Sequence, residues 1–469
     1  MSAPWWRRPA VLATGIVVLA GLLRLHGLGS WPWEQDELYT LFDATHLGGG
    51  GSGPGVAARP LYYLLQHALF AIGPATPLAM RIPPFLFGVF GVWLTWWVGR
   101  RTLGEQAGLV GALLLALSPW HLYASQFARY WTALYDLGLL FYWLYPLARD
   151  RDEGPAYVPA LLVALIGAFT HPTFAFAVVG VVAAAALVSG SGARGFRLPS
   201  RREWLWFWVP LAIGAVAFTL VVKLAGSPKA LPIHAGRGWA ANLRVLLGML
   251  EWMTPAVATA GALSAVYLAT RPGRDGDARW GWSTILGCGS LVVLLLIAGR
   301  KADIYADYGM GMLPLIYLAI GGALQRVSER IASPWPAAAG AAVLVAATLP
   351  GVASHLVDGT RFDYRTAYNY IMHSDSTRLV LGLPTFTQRA YAPRLNFAEF
   401  QTEVPQLDSA LALHREFWIV ASYSRSGLLG DDGSATGWID SHCRVALRVG
   451  RPRFDDRSYV VNVLACGAP

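Results

Sequence analysis

Charge is scarce in this sequence. Asp, Glu, Lys and Arg make up only 14% of the 469 residues, while 55% are hydrophobic; soluble domains average about 25% charged. Length alone would allow two or three soluble domains, and that balance excludes them. Cysteine is rarer still, at three residues, and no His/Cys cluster has metal-ligand spacing. There is no internal repeat, so the inverted-repeat architecture common in secondary transporters lacks support. No small-residue cleavage pattern precedes Trp31-Pro32-Trp33, so the first apolar run is expected to stay as a span rather than be removed as a signal. The net charge of +9 raises nucleic-acid binding. The arginines nevertheless fall in short clusters between apolar runs, the pattern of membrane topology, and no nucleic-acid partner is expected.

What the sequence has in quantity is apolar runs and aromatic rings, including 20 Trp and 19 Tyr, which suit membrane–water interfaces. A span needs about 20 mainly apolar residues, fewer inside a bundle. The expectation is about eleven: 9–26, 79–99, 106–123, 130–148, 157–171, 173–189, 204–223, 253–270, 281–298, 309–324 and 335–352. Arg7-Arg8, Arg100-Arg101, Arg149 with Arg151, Arg194 through Arg202, Arg271 through Arg279, and Arg326 with Arg330 then all fall on one side. Short basic loops face the cytoplasm, so the N-terminus is expected inside and the C-terminal region outside. Two long connections, about 27–78 and 224–252, lie on the outer side. The first holds a glycine-rich stretch and residues 61–72 (LYYLLQHALFAI), too short to span and read as a helix at the interface.

The fold class is thus an α-helical polytopic membrane protein with a small C-terminal extracytoplasmic α/β domain. The domains are 1–354, with the first external loop 27–78, and 355–469. Beyond 355, β-rich runs at 378–383, 417–423, 444–449 and 459–465 alternate with helical patterns at 364–373 and 436–442. Cys443 and Cys466 lie there, where a disulfide is expected; Cys288, inside a span, is read as a small buried apolar residue.

The sharpest chemical signal is Glu34, Asp36 and Glu37, three acids in four residues just past the first span. Paired carboxylates serve as base and positioning group. The plain alternative is a solvated helix start, where acids are favoured. Trp33, Tyr39 and Tyr62, in the same loop, are candidate sugar or acceptor contacts, with interface anchoring as the plain reading.

The run 22–40 (LLRLHGLGSWPWEQDELYT) resembles the start of the GT-C glycosyltransferases, in the bacterial branch similar to protein O-mannosyltransferases and lipid A aminoarabinose transferases. The likeness continues in order through Arg59-Pro60-Leu61-Tyr62-Tyr63, Arg81-Ile82-Pro83, Gly99 to Gly104, Leu117 to Tyr130 and Thr170-His171-Pro172. It covers about 20–175 well. The resemblance implies transfer of a sugar from a polyprenyl-phosphate carrier to a hydroxyl acceptor at the outer membrane face, with inversion as the outcome of a one-step displacement. Asp36 is then the base and Glu37 its partner. Arg59, Arg129, His171, Arg300 and Lys301 are the candidate donor-phosphate contacts, each with a plain reading as loop residue, headgroup anchor, buried histidine or neighbour of Asp303 and Asp307.

Phe127 stands where many relatives carry an acid, leaving Glu37 or Asp136 as the second carboxylate, and Asp307-Tyr308 replaces an arginine-tyrosine pair. No cofactor is required; a divalent cation on Asp36, Glu37 and carrier phosphate is an option. The expected partners are membrane lipids, the polyprenyl-phosphate sugar and a cell-envelope glycan, lipid or protein acceptor, and the expected location is a bacterial inner membrane. A flippase or transporter of a lipid-linked saccharide is the alternative, although the ionisable residues gather at one face rather than mid-membrane. A sensor or scaffold ranks third, because it leaves the acidic motif idle.

Overall fold

The structure is a computed structural model and describes residues 9–47, 59–188, 197–224, 239–271, 275–300, 304–382, 385–400, 403–422, 434–451 and 459–467. The chain divides into two compact units, 1–28 with 43–353 and 29–42 with 354–469. The acidic segment therefore packs with the C-terminal unit rather than with the helices that flank it in sequence.

The first unit is helical. Among the described residues, five helices are long and apolar enough to cross a membrane: Pro77–Thr102, Arg201–Leu220, Gly276–Ala298, Ala306–Ile331 and Trp335–Asp358. Two bent pairs raise the number to seven, and Pro9–Leu25, Gly154–Thr170 and Phe174–Leu187 are shorter apolar helices. The bends revise two expected spans. The run 106–123 is not straight: Glu105–Ala116 and Pro119–Ser125 meet at 65°. Proline disfavours helical backbone at the residue before it, and Ser118 restarts the helix by accepting the His121 N–H at 3.3 Å. The span expected at 253–270 begins at Pro255, and the helix Asn242–Met253 meets it at 93°. Thr254, between them, takes a positive φ of 65°. The loop 224–252 thus carries helix in its described part.

Tight backbone contact joins Pro77–Thr102 to Glu105–Ala116. A Cβ on Gly99 would lie 2.8 Å from the Gly108 Cα, and one on Gly108 would lie 2.5 Å from the Trp96 carbonyl oxygen. Small residues let helix backbones approach where lipid supplies no hydrophobic drive between helices. The helix Pro60–Ile72 starts on Pro60, whose missing N–H is no loss in a first turn.

The second unit is a five-stranded sheet, β1 (Leu379–Gly382), β2 (Phe397–Glu399), β3 (Glu416–Ser422), β4 (Cys443–Val449) and β5 (Val461–Gly467), in the order β2-β1-β3-β5-β4. β1 runs parallel to β2 and β3, while β5 is antiparallel to β3 and β4. Alternation along β3 sends Phe417 and Ile419 to one face and Trp418 and Val420 to the other. The first pair packs with Leu407 and Trp438, from the helices Val404–His414 and Ser434–His442. The second packs with Tyr364, Tyr368 and Ile371 of Tyr364–Ser374. Helices therefore cover both faces of the sheet. Cys443 and Cys466, paired across β4 and β5, form a disulfide.

Candidate functional site

In the C-terminal unit the acids open the helix Gln35–Thr45. Glu37 is fully buried. Its Oε2 accepts from Arg361 Nη1 at 2.9 Å and from the Glu34 backbone N–H at 3.2 Å. The second bond is the reach-back of a capping box, a carboxylate at the third helical position satisfying an orphan N–H of the first turn. Asp36 is half-buried, and its carbonyl accepts from the Thr40 hydroxyl at 3.0 Å. Neighbouring helix positions point about 100° apart, so Asp36 and Glu37 do not converge on one point. Among the described residues, no three His, Cys, Asp or Glu side chains gather as a metal set. Trp33 donates its backbone N–H to the Tyr391 hydroxyl. Tyr39 accepts from Gln35 Nε2 at 3.0 Å and packs edge-on against Phe386, with ring centroids 4.9 Å apart.

In the membrane unit, Arg59, Tyr62, Arg129 and His171 come together. Arg129 is buried and donates from Nη1 to the Tyr63 hydroxyl at 3.0 Å. The Arg59 guanidinium lies 5.4 Å from the Tyr130 ring centre, a cation–π distance, and near enough to Arg129 for the two charges to repel. Tyr130 stacks on His171 at 4.6 Å and meets Tyr62 edge-on at 5.8 Å. Trp131 and Tyr308 complete the ring around His171, at 5.3 and 5.5 Å. The imidazole Nδ1 accepts the Thr173 backbone N–H at 3.2 Å and pairs with the Thr173 hydroxyl at 2.6 Å. Arg300 is exposed just past the helix Asp275–Ala298, and Lys301 lies outside the described residues.

Asp136 and Asp307 are two of this unit's buried carboxylates. Asp136 is buried in Trp131–Arg151 with neither oxygen hydrogen-bonded. It stands against Gly91, where a Cβ would come within 2.5 Å of Oδ1. Asp307 is buried too, and accepts from Trp120 Nε1 at 3.4 Å. With Trp131, Thr173 and Tyr308 it lines a cavity of about 20 Å³, room for one water. Asp307 is thus the carboxylate beside the aromatic ring.

The turn that carries Arg129 is fixed from the first helix. All five Arg24 N–H groups are used. Nε donates to Ser125 Oγ at 3.0 Å, Nη1 to the carbonyls of Ala20 and Ala116, and Nη2 to the Leu115 carbonyl and His121 Nδ1. Gln126 Nε2 returns to the carbonyls of Arg24 at 2.8 Å and His26 at 2.6 Å. Sequence reasoning passed over Arg24, Tyr63, Gln126, Asp307 as a wall of the site, and Arg361. An arginine inside the first apolar run was the one available signal, since a charge there needs partners.

Residues 54–226 match the family model of dolichyl-phosphate-mannose-protein mannosyltransferase, a stretch that holds Arg59, Arg129 and His171. The chain is similar to the crystal structure of ArnT from Cupriavidus metallidurans bound to undecaprenyl phosphate. The TM-score is 0.57 at 14% identity, with 100% of each chain covered. The apo state of that protein gives 0.55 at 13% identity, over 98% of this chain and 99% of that one. The archaeal oligosaccharyltransferase AglB from Archaeoglobus fulgidus, in complex with an inhibitory peptide and a dolichol-phosphate, gives 0.50 at 11% identity, over 89% and 70%. No curated protein matches the sequence. The chain shares its fold with ArnT and AglB, and the mannosyltransferase match runs through the cationic cluster.

Proposed function

We propose that this protein transfers a sugar from a polyprenyl-phosphate donor to a hydroxyl acceptor at the outer face of a bacterial inner membrane, with inversion at the anomeric carbon. The observation that carries the reading is the convergence of Arg59, Arg129 and His171 with Tyr62, Tyr63 and Tyr130, within the family-matched segment. Two guanidiniums amid aromatic rings suit a phosphate whose lipid tail remains in the membrane. Arg300 and Lys301 are the further candidates for that charge. The eleven-span topology, with the N-terminus inside and the C-terminal unit outside, belongs to the same reading.

In the reaction, Asp36 accepts the proton of the acceptor hydroxyl as its oxygen attacks the anomeric carbon. The bond from that carbon to the phosphate oxygen breaks, and the polyprenyl phosphate leaves with the electron pair. Arg59 and Arg129 stabilise the charge that builds on it. Attack opposite the leaving group inverts the carbon. Trp33, Tyr39 and Tyr62 are the proposed sugar or acceptor contacts, and Glu37 acts through the helix start. Acceptors of the class are envelope glycans, lipids or proteins.

The test is transfer by purified protein in nanodiscs, offered polyprenyl-phosphate sugars and envelope acceptors, beside Asp36→Asn and Arg129→Ala. Native transfer with inverted product, reduced at least 100-fold by Asp36→Asn, supports the proposal; that loss is about 2.7 kcal/mol of barrier. Donor movement across the bilayer without covalent product would instead favour a flippase.

A further inference from the structure

We propose that Arg361 is a positioning residue for the reaction: through its ion pair with Glu37 it holds the helix start that carries Asp36, so the C-terminal unit sets the orientation of that carboxylate. The inference rests on the reading of Asp36 as the base, and it gives the C-terminal unit a part in catalysis.

Hydrogen bonds and an ion pair join the acidic segment to the rest of its unit. Arg365 Nη1 donates to the Ser30 carbonyl at 3.1 Å, Tyr391 receives the Trp33 N–H, and Arg361 meets Glu37 at 2.9 Å. The last joins residues 324 positions apart, with both side chains 0% exposed. Charges withdrawn from water this completely are retained only with close pairing, so Glu37 has one stable place, and Asp36 precedes it on the same helical turn.

The backbone that delivers Arg361 is equally specified. Gly359 and Thr360 take successive positive φ angles of 66° and 52°. At Gly359 a Cβ would lie 2.7 Å from the Trp31 ring, so the indole of the acidic segment sits where only glycine leaves room. Left-handed backbone at a threonine is costly and persists where its surroundings enforce it. Here the Thr360 N–H donates to Asp358 Oδ1 at 2.8 Å, and its hydroxyl pairs with His355 Nδ1 at 3.2 Å.

The experiment uses the full chain in nanodiscs, with Glu37→Gln/Arg361→Met, Arg361→Lys and Asp36→Asn. Removing both charges together avoids leaving one buried and unpaired. Hydrogen exchange of peptides covering 34–42 and steady-state transfer kinetics are the readouts. The double variant is expected to keep its protection in β1 and β3, exchange at least tenfold faster over 34–42, and lose at least tenfold in kcat with donor KM within twofold. Arg361→Lys, which keeps a cation, should restore kcat to within about threefold of native. If sheet protection falls in the double variant, Glu37→Gln, which keeps an acceptor for Arg361 Nη1, carries the comparison instead, by faster exchange over 34–42 with lowered kcat. In whichever of these two variants carries the comparison, unchanged exchange over 34–42, or kcat within twofold of native, overturns the proposal. If Asp36→Asn transfers as well as native protein, Asp36 is not the base, and the exchange readout alone decides whether Arg361 holds the segment.

Discussion

Arg24 and Gln126 cap helix ends in exchange, Gln126 closing the first helix and Arg24 the helix before the Pro119 bend. Gln126 Nε2 donates to the Arg24 carbonyl at the end of Pro9–Leu25, and the Arg24 guanidinium donates to the Leu115 and Ala116 carbonyls at the end of Glu105–Ala116. Carbonyls at a helix C-terminus have no partner within the helix, and lipid offers none. The exchange therefore fixes the bend at Pro119 and, through Gln126, the turn on which Arg129 and Tyr130 stand. Gln126→Ala removes two donors. Side-chain hydrogen bonds between membrane helices are each worth about 0.6 kcal/mol, so the expected loss is about 1 kcal/mol of stability. Thermal melts in detergent measure it, and a raised donor KM in the folded variant would show that the turn positions Arg129.

Tyr63 gives a finer probe of the cluster. Its hydroxyl accepts from Arg129 at 3.0 Å, and Tyr63→Phe removes that bond while keeping the ring. A hydrogen bond to a charged group contributes about 1.5–3 kcal/mol. A fall of roughly tenfold or more in kcat/KM is expected, beside a larger fall for Arg129→Ala. Titration with a short-chain polyprenyl phosphate separates binding from turnover. Equal donor affinity in native protein and both variants would place the phosphate elsewhere.

Asp375 makes one contribution to the pH dependence of the C-terminal unit, and its sign follows from its bonds. Asp375 accepts from the Thr377 hydroxyl at 2.6 Å, the Thr377 N–H at 3.1 Å and Arg378 Nε at 2.8 Å. These bonds, the Thr377 hydroxyl's first, hold its carboxyl below the usual range. A depressed folded-state value stabilises above the unfolded pKa, about 3.9, and that contribution is lost as pH falls through the folded value. Asp375→Asn is therefore expected to lose less stability than native protein between pH 6 and pH 3, with thermal midpoints as the check. Parallel curves would mean that the Asp375 carboxylate contributes nothing.

Much of this architecture was legible in the sequence because its signals are local. Four β-rich runs became β1, β3, β4 and β5, while β2, at three residues, is too short to leave a pattern. The apolar runs marked helices, yet length and hydropathy did not show the breaks before Pro119 and Pro255, which depend on backbone sterics at a single residue. In the site, Arg59, Arg129 and His171 were reached through ordered motifs. Their aromatic setting was not, because Tyr308 comes from a segment 137 residues beyond His171, read off their numbers. Glu37 read as an available carboxylate because nothing near it announces Arg361, 324 positions away.

The disulfide between Cys443 and Cys466 ties an edge strand, β4, to its one partner, β5. It closes a loop over a sequence separation of 23, for which the lost freedom of the unfolded chain corresponds to about 3 kcal/mol. Cys466 also packs in the core with Phe417 and Trp438, so Cys443→Ala/Cys466→Ala removes a little apolar contact as well. The pair is expected to lower the melting midpoint of the C-terminal unit by about 10 °C, the shift roughly 3 kcal/mol gives in a domain of a little over 100 residues. Reductant should lower the native midpoint similarly and leave the double variant unmoved, because Cys288 then remains as a lone thiol. A native midpoint indifferent to reductant would mean that the sheet holds β4 without the bridge, and that the bond's constraint on the unfolded chain is offset elsewhere.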